Sequence, residues 1–308
     1  MTARFLYRRQ FLPRLARIVG DAVLRRDTRD AAFVSLMGGL GDLVNAFPTL
    51  DRLSQRGSVD LGTGGGAYRA VAEANPHLRR VYAPFVYKPI RRAHRRLIEV
   101  TLRPFYRSVV LLDEADSRWR TRGRHMAEVY AERCGCPPPK RGAVHVPDAA
   151  RRAAASFLGE HGLDRFVFVV QLIRRRRPER SWPLAHYQTL YRELRKRLPL
   201  PVLVHTVGSD ETAVPKGCVP LASADILTAA ALIERATLFV GPDTGLTHVA
   251  AALGVPTLAI HLGHPPEVCA ALGDNVVLVR QAGPYADPAL TTPEQVLAKL
   301  DHHLAVKA

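Results

Sequence analysis

Short apolar runs rich in β-branched residues alternate along this sequence with longer segments of helical period, which predicts an α/β fold built on parallel sheets. Two further observations sharpen the prediction. Glycine-bearing polar loops follow two of the runs directly, Gly38-Gly39-Leu40-Gly41-Asp42 and Gly241-Pro242-Asp243-Thr244-Gly245. Ligand loops of open α/β sheets sit at such places, at the carboxyl ends of the strands. A proline-rich break, Cys136-Pro137-Pro138-Pro139 and on to Pro147, then divides the 308 residues near the middle. That length suits two domains of about 150 residues each. The expected parts are a basic segment at 1–30, a first α/β domain at 31–147 and a second at 148–308.

Residues 1–30 hold eight arginines and three aspartates. Phe11, Leu15, Ile18, Ala22 and Val23 recur at helical spacing, with Arg14, Arg17 and Arg25 elsewhere on the wheel. Such a helix lies on an anionic membrane surface or packs on the first domain, and the sequence leaves both open. It lacks the uninterrupted apolar core of a signal peptide. Ala31–Met37 reads as a buried strand, and the glycines after it permit a tight turn. Asp42 falls near the start of the next helical segment, where an aspartate commonly caps. Pro48 predicts an irregular entry, with regular helix over 48–54. Val59–Leu61 is a second strand, and Gly62-Thr63-Gly64-Gly65-Gly66 a flexible turn. Val109–Leu112 is a third clear strand, ending at Asp113.

Between and after these strands lie two arginine clusters, Arg91, Arg92, Arg95, Arg96, Arg103 and Arg107, then Arg118, Arg120, Arg122 and Arg124. A charge run is usually a solvated face. Two of them in one half point to an anionic partner of that half, with Arg91, Arg92, Arg95 and Arg120 as candidate contacts.

The second half opens with a helix over 148–161 and a strand over 166–171. The loop Leu172-Ile173-Arg174-Arg175-Arg176-Arg177-Pro178-Glu179-Arg180-Ser181-Trp182-Pro183 follows. Then come a helix over 184–197, a strand over 202–207 and a helix over 225–235. Thr237–Gly241 is a buried strand bounded by Pro242, and Asp243-Thr244 suits a helix start. Gly245 lets a ligand approach the backbone at that N-terminus, where free N–H groups and the helix dipole attract anions. Gly254 and Pro256 stop the helix, and Thr257–His261 is the next strand. A strand over 276–279 and a helix over 293–306, with proline in its first turn, complete the chain.

Composition bounds the function. Hydrophobic content of 47% fits substantial cores, and no run of about 18 apolar residues marks a membrane span. The net charge of +16 calls for an acidic partner: nucleic acid, an anionic membrane or a phosphorylated substrate. Four cysteines in a chain this long do not make a disulfide scaffold, and Cys134-Gly135-Cys136 finds no second close pair to complete a metal site. A NAD-dependent dehydrogenase should carry an intact G-x-G-x-x-G after a strand, and the first glycine loop lacks the third glycine. A non-catalytic binder of anionic lipid or nucleic acid would explain the charge. It would not need Asp42 and Asp243 in matched loops of separate domains.

The run D-T-G-L-T-H-V-A-A-A-L-G-V-P-T (243–257) resembles the C-terminal signature of glycosyltransferase family 9, the ADP-heptose:lipopolysaccharide heptosyltransferases. Gly41-Asp42 with Pro48, and Arg180 two before Trp182-Pro183, match two further places of that pattern. The resemblance implies a GT-B architecture, two Rossmann-like domains facing a central cleft. It implies inverting transfer of a heptose from an ADP-sugar to a lipopolysaccharide-type core, with Asp42 as base. Arg180, Asp243, Thr244, Gly245 and His248 would bind the donor. Lysine is usual where Arg180 stands, and Asn45 replaces a histidine of several members. Leu262-Gly263-His264-Pro265-Pro266 stands where the family more usually has G-P-T-x-P, keeping a glycine and the proline and losing the hydroxyl. No metal and no cofactor beyond the nucleotide sugar are implied. The implied partners are an anionic glycolipid acceptor and the cytoplasmic face of the inner membrane; nucleic acid is not expected.

Overall fold

The computed structural model describes residues 3–85, 92–113, 123–174, 177–208, 214–221 and 224–305. The chain divides into two compact units, residues 1–139 and 140–308. No helix among the described residues is long and apolar enough to cross a membrane.

Unit 1 runs α1 (Ala3–Arg25), β1 (Ala32–Met37), α2 (Leu40–Ser54), β2 (Val59–Gly62), α3 (Ala67–Glu73), β3 (Arg80–Tyr82), α4 (Arg92–Leu102), β4 (Ser108–Asp113) and α5 (Met126–Arg133). Its four strands are all parallel, in the order β3-β2-β1-β4, with Ala32 of β1 in register with Val59 and Ser108. In α1, Phe11, Leu15, Ile18 and Ala22 are buried against Phe33, Tyr82, Phe85, Ile98 and Tyr106. Burying a large apolar side chain contributes roughly 1.5–3 kcal/mol, so this stripe belongs to the core and not to a membrane. Val23, grouped with it by spacing, stands outside at 51% exposure.

Helix α2 corrects the expectation of an irregular entry. It starts at Leu40, eight residues before Pro48, which lies inside it. A proline removes one helical N–H and crowds the preceding turn. Burial of Leu43, Val44, Phe47 and Leu50 outweighs that cost. Six elements are not read from sequence: α3, β3, α4, α5, and β7 and α10 below. Five of them span only three to eight residues, while α4 is strongly amphipathic but stands in the sequence as an arginine cluster.

Unit 2 runs α6 (Asp148–Glu160), β5 (Val167–Ile173), a 3₁₀ turn (Pro178–Arg180), α7 (Leu184–Arg197), β6 (Val202–Gly208), β7 (Val219–Leu221), α8 (Ile226–Arg235), β8 (Leu238–Pro242), α9 (Gly245–Ala252), β9 (Thr257–His261), α10 (Pro266–Cys269), β10 (Val276–Arg280), a second 3₁₀ turn (Pro288–Leu290) and α11 (Pro293–Ala305). The six strands are parallel, in the order β10-β9-β8-β5-β6-β7. Helices α7 and α11 cover the face of Val167 and Val169. Helix α9 packs on β8, β9 and α8, and α8 packs on α6. Trp182 anchors the covered face, its indole N–H donating to the Thr291 carbonyl at 2.6 Å. Strand β5 has β6 on one side and β8 on the other. The winding direction reverses between β5 and β8, so the loops leaving their carboxyl ends flank the crevice where doubly wound sheets bind ligands.

Candidate functional site

The polar residues of unit 2 converge at that reversal. The loop after β5 turns through the 3₁₀ segment and presents Arg180, and β8 ends directly at Asp243. The Arg180 guanidinium donates to Asp243 Oδ2 at 2.7 Å and to the Asp243 carbonyl at 3.3 Å. Both side chains are largely buried, at 17% and 10% exposure. His248, buried in α9, brings Nε2 to 3.6 Å from Asp243 Oδ1. Burial alone would raise the Asp243 carboxyl. His248, His261 and Arg180 together outweigh burial and hold it well below the usual carboxylate range. Arg180 Nε is buried without a hydrogen-bond partner among the described residues. A buried donor without a partner is a group that calls for an explanation.

The helix start expected after Asp243 falls at Gly245, with Thr244 as an extended N-cap. Thr244 makes no side-chain capping bond; its hydroxyl lies 3.3 Å from that of Thr247, which donates to the Pro242 carbonyl at 2.5 Å. The first N–H groups of a helix, here Gly245 and Leu246, have no intrahelical acceptor. The end is a Schellman closure. Val255 N–H reaches the Ala250 carbonyl and Gly254 N–H that of Ala251, with Gly254 at φ +79°.

Three residues to which sequence reasoning gave no site role complete this site. Burial pushes His261 down, partly offset by the Asp243 charge. Its Nε2 lies 2.9 Å from the His264 carbonyl, which can only accept, so Nε2 carries the proton. Gly263, at φ +95°, packs on Arg180: a Cβ there would lie 2.9 Å from Arg180 Cγ. Gln281 fixes that glycine from both sides, accepting its N–H and donating to its carbonyl, each at 2.9 Å. Only a terminal strand residue, a single glycine and one glutamine were visible in the sequence, none of them a signal alone. Asp243, His261 and Cys269 also bring ligand atoms within 4.8 Å of one another, the residue types of a metal site. Arg180 already neutralises that carboxylate, and His261 Nε2 is committed to a carbonyl.

In unit 1 the reversal lies between β1 and β4, and Asp42 stands in the first turn after β1. Its Oδ2 accepts the Gly39 N–H, and the Tyr130 hydroxyl lies 3.2 Å from Oδ1. A side chain at Gly38 would collide with the carboxyl group, which explains a glycine there. Asp42 thus caps α2 and is 6% exposed. Asn45 is buried, its amide 3.6 Å from Met126 Sδ. Arg92 and Arg95 fall in the first turn of α4, while Arg91 and Arg120 lie outside the described residues.

A family model, glycosyltransferase family 9 (heptosyltransferase), matches residues 121–297, which include Arg180, Asp243, Thr244, Gly245 and His248. The chain belongs to glycosyltransferase family 9. As a family 9 member it is a glycosyltransferase. Its fold is similar to that of a family 9 protein from Veillonella parvula, with a TM-score of 0.71 at 16% identity over 90% of this chain and 98% of that one. It is similar to E. coli ADP-heptose LPS heptosyltransferase II, with a TM-score of 0.65 at 18% identity over 90% and 99%. An E. coli heptosyltransferase solved with ADP gives 0.58 at 15% identity over 88% and 99%. At such identities the likeness is one of fold, the parallel α/β units of the GT-B type. No curated protein sequence matches the chain.

Proposed function

We propose that this family 9 enzyme moves a heptose, or a related sugar, from an ADP-sugar to a lipopolysaccharide core or another anionic glycan. The transfer inverts the anomeric centre and uses fixed protein charge in place of a metal. One observation carries the reading: a largely buried arginine with an unpartnered Nε stands at the unit 2 strand reversal, beside a helix N-terminus. Such a place receives a diphosphate. Arg180 and the N–H groups of Gly245 and Leu246 neutralise the departing nucleoside diphosphate. Asp243, kept ionised, and His248 fix that loop and face the sugar hydroxyls. Asp42 takes the proton of the attacking acceptor hydroxyl as the new glycosidic bond forms and the anomeric C–O bond to the diphosphate breaks. Arg91, Arg92, Arg95 and Arg120 meet the anionic acceptor, which is held at the cytoplasmic face of the inner membrane. Similarity to solved heptosyltransferases, one of them with ADP, supports this choice of donor.

The test is thermal unfolding with ADP, GDP, UDP and CDP in the presence of EDTA. A ligand at 100-fold over its Kd stabilises by about 2.7 kcal/mol, which shifts melting visibly. ADP is expected to give the largest shift. No shift with any of the four, or one that needs a divalent cation, refutes the donor site as described.

A further inference from the structure

Helix α1 is apolar on two opposite faces. Phe11, Leu15, Ile18 and Ala22 point into the unit 1 core. On the other side, the exposed residues from 11 to 25 are Leu12, Pro13, Ala16, Arg17, Val23, Leu24 and Arg25, five of them apolar. A surface helix ordinarily turns polar residues outward, so a set of exposed apolar side chains opposite the buried stripe marks an interaction face. Helix α4, which packs with α1 in the same core, repeats the pattern: it buries Ile98 and Leu102 and exposes Arg96, Leu97 and Val100. Seven large hydrophobic side chains are exposed among the described residues, and five of them lie on these two helices: Leu12, Val23, Leu24, Leu97 and Val100. Leu24 is 82% exposed and Val100 63%.

Charge decides the partner. The two helices carry nine arginines against two carboxylates, Asp21 and Glu99, and so hold seven of the chain's sixteen excess positive charges. Arg17, Arg25, Arg96 and the adjoining Arg103 are exposed beside the apolar residues. Two copies meeting through this face would set arginine against arginine. Apolar side chains interleaved with arginine match the boundary between anionic headgroups and acyl chains. We infer that the outer face of α1 and α4 docks unit 1 on an anionic bilayer, with Leu24 and Val100 entering the headgroup–acyl boundary. This rests on the reading of a membrane-held acceptor and supplies the surface for it. The face concerned is the opposite of the stripe that spacing alone offers.

The experiment is co-sedimentation of the full chain with vesicles of phosphatidylglycerol and phosphatidylcholine, against pure phosphatidylcholine. Each arginine at an anionic surface is worth about a factor of five in partition. Binding to the anionic vesicles should therefore exceed that to neutral ones by more than tenfold and fall steeply with salt. Leu24→Glu with Val100→Glu should reduce it at least tenfold, and Arg96→Gln with Arg103→Gln by about 25-fold. Leu290→Glu, at an exposed apolar position elsewhere, should leave it unchanged. The ADP melting shift is recorded on every sample. An unchanged shift shows that the variants fold; its absence from the wild type would sink the donor reading and leave vesicle binding to be judged alone. Equal binding to both vesicle types overturns the inference. So do α1/α4 variants that bind like wild type, or ones that convert a dimer to a monomer in sedimentation velocity without loss of vesicle binding.

Discussion

Removing Arg180 tests the organisation of the donor loop most directly. Arg180→Met keeps the stem that packs on Gly263 but deletes the guanidinium, leaving Asp243 at 10% exposure with His248 and His261. Removing one partner of a buried pair costs 3–5 kcal/mol when nothing else compensates. Two nearby imidazoles reduce this to about 2–3 kcal/mol, or some 5–10 °C for a unit of this size. Asp243→Asn alone should cost about 1–2 kcal/mol, because Arg180 can partly turn to solvent. The double variant should then be more stable than the sum of the two by at least 1 kcal/mol. Differential scanning calorimetry of the four proteins at pH 7.5 measures that coupling. The acid limb gives an independent check. Asp243 is held below its ordinary value in the folded state, so the unfolded chain takes up its proton first as pH falls. The stabilisation is present above about pH 4 and drains away below it, and it should be smaller in Arg180→Met. Additivity within 0.5 kcal/mol would refute the coupled pair. Unchanged ADP affinity in Arg180→Met would remove the arginine from the donor site even if the ion pair stands.

Three further outcomes are expected. Asp42→Asn keeps an oxygen for the Gly39 N–H, so melting should move by no more than about 1 kcal/mol while transfer falls about 10²–10⁴-fold in a single-turnover assay; near-normal turnover removes it as base. Gly263→Ala puts a Cβ against Arg180 at φ +95°, and should lower stability by about 1–3 kcal/mol and weaken ADP binding, read by calorimetric titration. Burial holds His205 and His261 below 6.5, so the unfolded chain binds their protons first and stability should drop as pH falls from 6.5 towards 5; a His205→Asn/His261→Asn variant should flatten that slope in a melting series.

Much of this fold is legible residue by residue. Most of the strands read from β-branched runs, because burial on both faces leaves little choice of residue. Asp243, Thr244 and Gly245 were legible as a loop because strand, glycine and helix stop are all local. The contacts that hold it were not: only the family resemblance set Arg180 beside Asp243. Arg180 reaches Asp243 from 63 positions away, and Tyr130 reaches Asp42 from 88, distances at which no spacing rule operates. Asp60 in β2 read as an ordinary strand residue, yet it is fully buried between Arg79 and the Tyr106 hydroxyl. The start of α2 was misplaced because a proline's local cost is visible in sequence and the burial that outweighs it is not.

The neighbours of β5 also set a timetable for synthesis. Its β6 partner follows after one helix, but its β8 partner begins only at Leu238, with residues 174–237 between them. At 5–20 residues per second a ribosome needs on the order of 3–13 s to make that stretch. Through that interval β5 keeps one edge open to any other strand, and Arg180 has been made while Asp243 has not. All of unit 1 lies upstream, so its sheet can close before the wait begins. A ribosome stalled between residues 200 and 237 would therefore display a finished first unit beside an aggregation-prone half-sheet. Translation speed across that window should govern how much active enzyme a cell recovers.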